Sequence, residues 1–367
     1  MNNFKEIIGN NQAKEYLCRM ISRGTIGNSL LFTGMDGIGK SLFASAFAKS
    51  VICQDDPRGV HRSKIESGNH PDIRVYRPEG KTGMHSIASL RHFNEEVYLS
   101  PSEAKWKVFI IHDADRMMTY SANALLKTFE EPPKNTIIIL LSHSSSALLP
   151  TILSRCRTIY FHPLKKEEVS LYLIQKQGKS QEEADAIAST AQGSIGQALR
   201  LIKGGGDSNR TLILDLLANG GVTNYKELSG IANTIADHID EAKKEVETEM
   251  RSFLVSGAGE SPSAAHKQSI EKEVEGAASM YAMHESYAYF SLIVAWYRDM
   301  QLLSVNGNRE HIILGEYADR CLQALQKGKF IPLERVQEII QETRLALDRS
   351  TTLHICFENL FLKLNLI

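Results

Sequence analysis

The eight residues Gly34-Met35-Asp36-Gly37-Ile38-Gly39-Lys40-Ser41 carry the spacing G-x-x-x-x-G-K-[ST]. That spacing suits one task. Glycines at 34, 37 and 39 let backbone N–H groups turn inward around phosphate oxygens, and a helix starting there adds the positive end of its dipole. Lys40 can then reach the β and γ phosphates of a nucleotide, and the Ser41 hydroxyl can hold Mg2+. The setting fits. An apolar run at 28–33 precedes the loop, and residues 41–51 follow it with Leu42, Phe43, Ala46 and Phe47 at helical spacing.

Hydrolysis asks for more than a cradle. A second buried strand should end in an Asp that orders the metal, with a Glu beside it to prepare the attacking water. Here the strand ends Ile111-His112-Asp113-Ala114-Asp115-Arg116. His112 stands where the metal-ordering Asp belongs, and Asp113 where the Glu belongs. A neutral imidazole offers no anionic oxygen to Mg2+, and Asp113 is one methylene shorter than the Glu it replaces. His112 reads as a polar cap at a strand end rather than a catalytic base. The expectation is ATP with Mg2+ held by Gly34, Gly37, Gly39, Lys40, Ser41 and Asp113, without useful turnover.

The elements that must position these residues follow from the pattern around them. Residues 107–111 and 136–141 are apolar runs suited to buried parallel strands. Between them, 121–131 reads as a helix stopped by Pro132 and Pro133. Residues 54–84 read as a loop rich in Pro, Gly, Asp and His. Strands interleaved with helices imply a parallel sheet covered on both faces. Beyond Pro163 the strand signal disappears. A small helical unit is expected from 165 to about 203, with the turn Gln192-Gly193-Ser194 opening its last helix. Gly204-Gly205-Gly206 reads as a linker. The remainder is helical in pattern, broken at 256–263. The expected organisation is an α/β P-loop module at 1–164, a helical lid at 165–204 and an all-α unit at 207–367.

Bulk properties narrow the partners. The chain has 367 residues, 43% hydrophobic and 23% charged, as a soluble globular protein of two or three domains would. A net charge of −1 gives no global cationic field, which argues against autonomous nucleic-acid binding. Cys18, Cys53, Cys156, Cys321 and Cys356 are odd in number and widely spaced. With no signal peptide in front of them, free thiols in a cytoplasmic protein are expected. The apolar runs are too short to cross a membrane.

Two segments carry a resemblance. Ser121-Ala122-Asn123-Ala124-Leu125-Leu126-Lys127-Thr128-Phe129-Glu130-Glu131-Pro132-Pro133, with Leu149-Pro150-Thr151-Ile152-Leu153-Ser154-Arg155-Cys156, resembles the clamp-loader ATPase family of bacterial DNA polymerase III. His70-Pro71-Asp72, the run 78–81, the turn 193–199, Trp296-Tyr297-Arg298-Asp299 and the end 358–364 are similar to members other than gamma/tau. Gamma/tau carries a sensor arginine where Gly196 stands. The resemblance implies an AAA+ module, a lid and an oligomerising collar. It implies work inside a complex with gamma/tau and delta subunits that loads a sliding clamp onto primed DNA, with no polymerase active site in this chain. It also implies that Arg155 is an arginine finger, acting in trans on a neighbour's ATP by neutralising charge on the transferred phosphoryl group.

Family members often carry clustered cysteines soon after the phosphate-loop helix. Here only Cys53 lies there, with His61 and His70 farther on. A structural zinc wants four ligands in tight pairs, so zinc is not expected. Cys156 reads as packing, and Tyr287, Tyr289, Phe290 and Trp296 as helical core or subunit interface. The charged run 240–251 reads as a solvated helix face. Two alternatives stay open: a gamma/tau-like motor that hydrolyses ATP itself, and a remodelling ATPase outside replication.

Overall fold

The structure, a computed structural model, describes residues 3–56, 59–202, 206–257, 264–326 and 331–367. It divides into two compact units, one of Met1–Glu79 with Gly83–Ala198 and one of Leu199–Ile367 with Gly80–Thr82.

The first unit runs α1 (Asn11–Arg23), β1 (Ser29–Thr33), α2 (Lys40–Ile52), α3 (Val60–Glu66), β2 (Ile73–Tyr76), α4 (Ile87–Val97) and β3 (Lys107–Ile111). It continues α5 (Thr119–Ala124), α6 (Leu126–Glu130), β4 (Thr136–Ser142), α7 (Pro150–Leu153), β5 (Arg157–Tyr160), α8 (Lys166–Gln177), α9 (Gln181–Ala191) and α10 (Ile195–Ile202). The division between the units falls inside α10.

All five strands are parallel, in the order β2-β3-β4-β1-β5. β1, β3 and β4 are buried along their whole length, which is why each is an unbroken apolar run. The two-residue period of a strand then sorts side chains between faces. Leu30 and Phe32 pack with Leu17, Phe43 and Phe47 on one face. Leu31 packs with Phe93, Leu125 and Phe129 on the other.

The edges explain what the sequence reading missed. β2 and β5 are four-residue strands with exposed positions, so neither shows an apolar run. β2 and α3 lie inside the stretch expected to be loop, and α3 has no buried residue to betray it. The single helix expected at 121–131 is two short ones, interrupted at Leu125.

The second unit is helical: α11 (Gly206–Asn219), α12 (Tyr225–Gly257), α13 (Ala264–Ser304), α14 (Ala318–Gln326), α15 (Leu333–Asp348) and α16 (Leu353–Lys363). Its core gathers Leu217, Phe290, Trp296, Phe357 and Phe361. Asp299 is fully buried there and accepts N–H bonds from Ile313 and Leu314, at 3.0 and 2.7 Å. Gly204 and Gly205 of the expected linker, and 258–263 of the expected break, lie outside the described residues. No described helix is long and apolar enough to cross a membrane.

Candidate nucleotide site and arginine corner

The phosphate loop leaves the carboxyl end of β1, between β4 and β5 in the sheet. That edge is where open parallel sheets bind ligands. α2 begins at Lys40, so its N-terminus faces the loop. The Lys40 side chain is 10% exposed, and its ammonium is held by its own loop. It donates to the carbonyl oxygens of Gly34 and Met35, the latter at 3.0 Å, and to Asp36 Oδ1 at 3.2 Å. Ser41 is exposed.

The turn before α10 packs directly on this loop. Ser194 Oγ donates to the Asp36 carbonyl at 2.8 Å, and Gly196 N donates to the Gly37 carbonyl at 2.9 Å. Ser194 also caps α10, accepting from Gln197 N at 3.1 Å. Two glycines make the approach possible. A Cβ on Gly196 would stand 2.7 Å from Gly37 Cα, and one on Gly37 would run into Ser194 Oγ. Gly37 also has φ of +75°, a conformation L side chains rarely adopt.

At the end of β3, His112 N donates to the Tyr76 carbonyl at 2.9 Å. The buried His85 ring donates through Nε2 to the His112 carbonyl at 2.7 Å. Burial pushes the His112 imidazole down to about 3, assisted by the positive charges of Arg77 and Lys40 and by His85. It is therefore neutral, and it supplies no anionic oxygen for a metal. Asp113, the candidate beside it, has left-handed backbone with φ of +47°.

Three polar residues here escaped the sequence reading. Asp115 accepts from Ser142 Oγ at 2.8 Å and from His143 Nδ1 at 3.0 Å, tying the end of β3 to the end of β4. Burial opposes the Asp115 charge, but the bonds from His143 and Ser142 outweigh it and hold the carboxyl below its ordinary range. The same bond raises the His143 imidazole. A polar pair directly following the apolar run 136–141 was the available signal.

Arg155 lies at a separate corner, in the turn between α7 and β5. Its guanidinium donates from Nε and Nη2 to Glu130 Oε1, the first at 2.7 Å, and from Nη1 to the Thr151 carbonyl at 2.7 Å. Cys156 packs against the core cluster on the Phe109 face, and burial pushes its thiol up to about 12, an inert group rather than a nucleophile.

The histidines after the phosphate-loop helix do converge. His61, His70 and Glu103 bring ligand atoms within 4.8 Å of one another, without Cys53 among them. Their hydrogen bonds suit each other better than a metal. His70 Nδ1 accepts from the Asp72 N–H at 3.1 Å, so a neutral ring carries its proton on Nε2, the atom 2.9 Å from His61 Nδ1. A protonated Nε2 cannot ligate. Asp72 is fully buried and accepts the N–H groups of Ser102, Glu103 and Ala104 at 2.5 to 2.8 Å. The His70-Pro71-Asp72 triplet thus clasps the turn that leads into β3.

The sheet order, the loop after β1 and the α8–α10 unit packed on it define an AAA+ module. Residues 9–165 match the family described as DNA polymerase III, delta subunit. DNA polymerase III subunit delta' of Bacillus subtilis is 36% identical over 165 residues, 44% of this chain and 50% of that one. The delta' of Escherichia coli is 26% identical over 330 residues, 87% of this chain and 96% of that one. A gamma subunit of Buchnera aphidicola is 30% identical, over 58% of this chain and 63% of its own. The chain thus matches one half to just under two thirds of the Bacillus and Buchnera relatives. A gamma-subunit-related structure from Thermotoga maritima aligns over 76% of this chain and 99% of its own, with 18% identity and a TM-score of 0.38. Over residues 9–165 above all, the chain is similar to the DNA polymerase III delta-prime and gamma/tau subunits.

Proposed function

We propose that this chain works as a delta-prime-type subunit of a DNA polymerase III clamp loader, helping to load the sliding clamp onto primed DNA with gamma/tau and delta partners. Its own nucleotide site is a weak cradle, and its contribution to catalysis is Arg155, delivered to a neighbour's ATP. One contrast carries the reading. Lys40 is turned onto its own loop beside a neutral His112, whereas Arg155 stands at a part-exposed corner.

When ATP enters, Lys40 must exchange the Gly34 and Met35 carbonyls for phosphate oxygens, and Ser41 and Asp113 are the residues left to hold Mg2+. Bound nucleotide supplies the γ-phosphate as a charge for the loop amides and Lys40 to meet. Nothing in the position of His112 prepares a water for attack.

The test is a complex reconstituted with cognate gamma/tau-type and delta-type subunits, carrying wild-type, Arg155→Ala or Arg155→Lys chain. Both variants should assemble. The Ala form should lower DNA- and clamp-stimulated ATPase, and Lys should restore it only in part, because an ammonium lacks the planar fork. Unchanged turnover in the Ala complex removes the finger. The intact loop from Gly34 to Ser41 favours one other reading, a gamma/tau-like motor. Steady-state hydrolysis by the isolated chain at motor rates would establish it instead.

A further inference from the structure

The α6–α7 corner holds more than the arginine. Glu130 closes α6, and Glu131, Pro132 and Pro133 follow it, so the helix cannot run on and its last carboxylate stands at the helix end. A single oxygen of that carboxylate, Oε1, accepts from both Nε and Nη2 of Arg155. On the opposite side Nη1 donates to the Thr151 carbonyl at 2.7 Å and to Ser154 Oγ at 3.1 Å. The guanidinium plane is therefore gripped along one edge by Glu130 and at one tip by the end of α7. An arginine has five N–H donors, so one N–H of Nη2 lies outside these four bonds.

The pair is poorly placed to stabilise the fold. The Arg155 and Glu130 side chains are 30% and 45% exposed, and an exposed ion pair shifts an equilibrium by at most about fivefold. The same weakness means Glu130 cannot withhold the arginine from a phosphate, which offers several anionic oxygens. What the pair can do is fix a long side chain that otherwise samples many rotamers, so that less freedom is lost when it meets its target.

Resting on the reading of Arg155 as a finger, we propose that Glu130 is its positioning residue: it holds the guanidinium by the Nε edge and leaves the Nη end to exchange α7 for the neighbour's phosphate. Such a role acts on turnover. It leaves assembly, and the neighbour's affinity for ATP, largely alone.

The experiment uses the reconstituted complex with Glu130→Ala, Glu130→Asp, Arg155→Ala and the double variant, measuring kcat and KM for ATP in the stimulated reaction. Thermal unfolding of each chain is followed alongside. Glu130→Ala should reduce the Arg155-dependent part of kcat about threefold to tenfold, the scale of one restrained arginine, with KM and unfolding temperature unchanged. Glu130→Asp should recover part of it, and the double variant should be no slower than Arg155→Ala alone. If Arg155→Ala lowers kcat while Glu130→Ala matches or exceeds wild type, Glu130 is no positioning residue, although the finger stands. A double variant slower than Arg155→Ala shows Glu130 acting through structure and overturns the proposal as well. An Arg155→Ala complex with wild-type kcat defeats both readings together.

Discussion

At the phosphate loop Lys40 is almost buried and spends its hydrogens on carbonyl oxygens six and five residues upstream, under a lid glycine that touches the loop. At the α6–α7 corner Arg155 is part-exposed and rests on one carboxylate and one helix end. The two cations are housed in opposite ways. A group whose partners belong to its own chain can be enclosed by many bonds and stripped of water. The Arg155 guanidinium stays near the surface on contacts weak enough to exchange, as the role proposed for it in trans requires.

Stability should show the widest gap between the two regions. Gly37→Val puts a branched side chain at φ of +75° and against Ser194, so it should cost the α/β unit roughly 2–4 kcal/mol in urea unfolding. Arg155→Ala should cost less than about 0.5 kcal/mol. Equal losses would erase the distinction.

A pH titration of stability sharpens the comparison next. The His112 ring is held neutral down to about pH 3, whereas an unfolded His takes a proton near pH 6.5. Its contribution is complete above pH 6.5 and is lost as pH falls toward 3, with a slope of up to about 1.4 kcal/mol per pH unit. His112→Asn should flatten that slope; an unchanged acid limb means the ring is not enclosed as described. The Asp115–His143 pair has the other sign for its imidazole. The raised His143 contributes below pH 6.5 and is lost as pH rises through its folded value, while the lowered Asp115 is lost only as pH falls through its own. With His143 42% exposed, His143→Gln should cost less than about 1 kcal/mol at pH 5.5 and nearly nothing at pH 9.

The smallest expected effect is none. Because the bonded tautomer of His70 places a proton on Nε2, added Zn2+ or EDTA should leave the unfolding temperature of the chain unchanged. A rise with one equivalent of zinc shows that His61, His70 and Glu103 rearrange to bind it.

Much of the α/β unit was legible because buried central strands must be apolar throughout, and β1, β3 and β4 are. The loop from Gly34 to Ser41 and the altered pair His112-Asp113 were legible for a different reason: their chemistry is local, set by spacing within a few residues. What could not be read is tertiary. Edge strands β2 and β5 keep exposed positions and leave no run to notice. Ser194 meets Asp36 across 158 residues, and Glu130 meets Arg155 across 25. Gly196 showed as a missing arginine in the sequence; that it also lets the backbone of the lid touch the phosphate loop is visible only when both are folded.

The claim that this chain's catalytic contribution lies outside its own nucleotide site is tested most directly by two variants compared side by side in one reconstituted complex. Lys40→Ala should abolish ATP binding by the isolated chain yet leave DNA-stimulated turnover of the assembly within about twofold of wild type, since no hydrolysis is assigned to that cradle. Arg155→Ala should leave binding by the isolated chain intact and lower the turnover of the assembly. The reverse pattern, with turnover lost on removing Lys40 and kept on removing Arg155, would make the chain a motor in its own right and contradict the account.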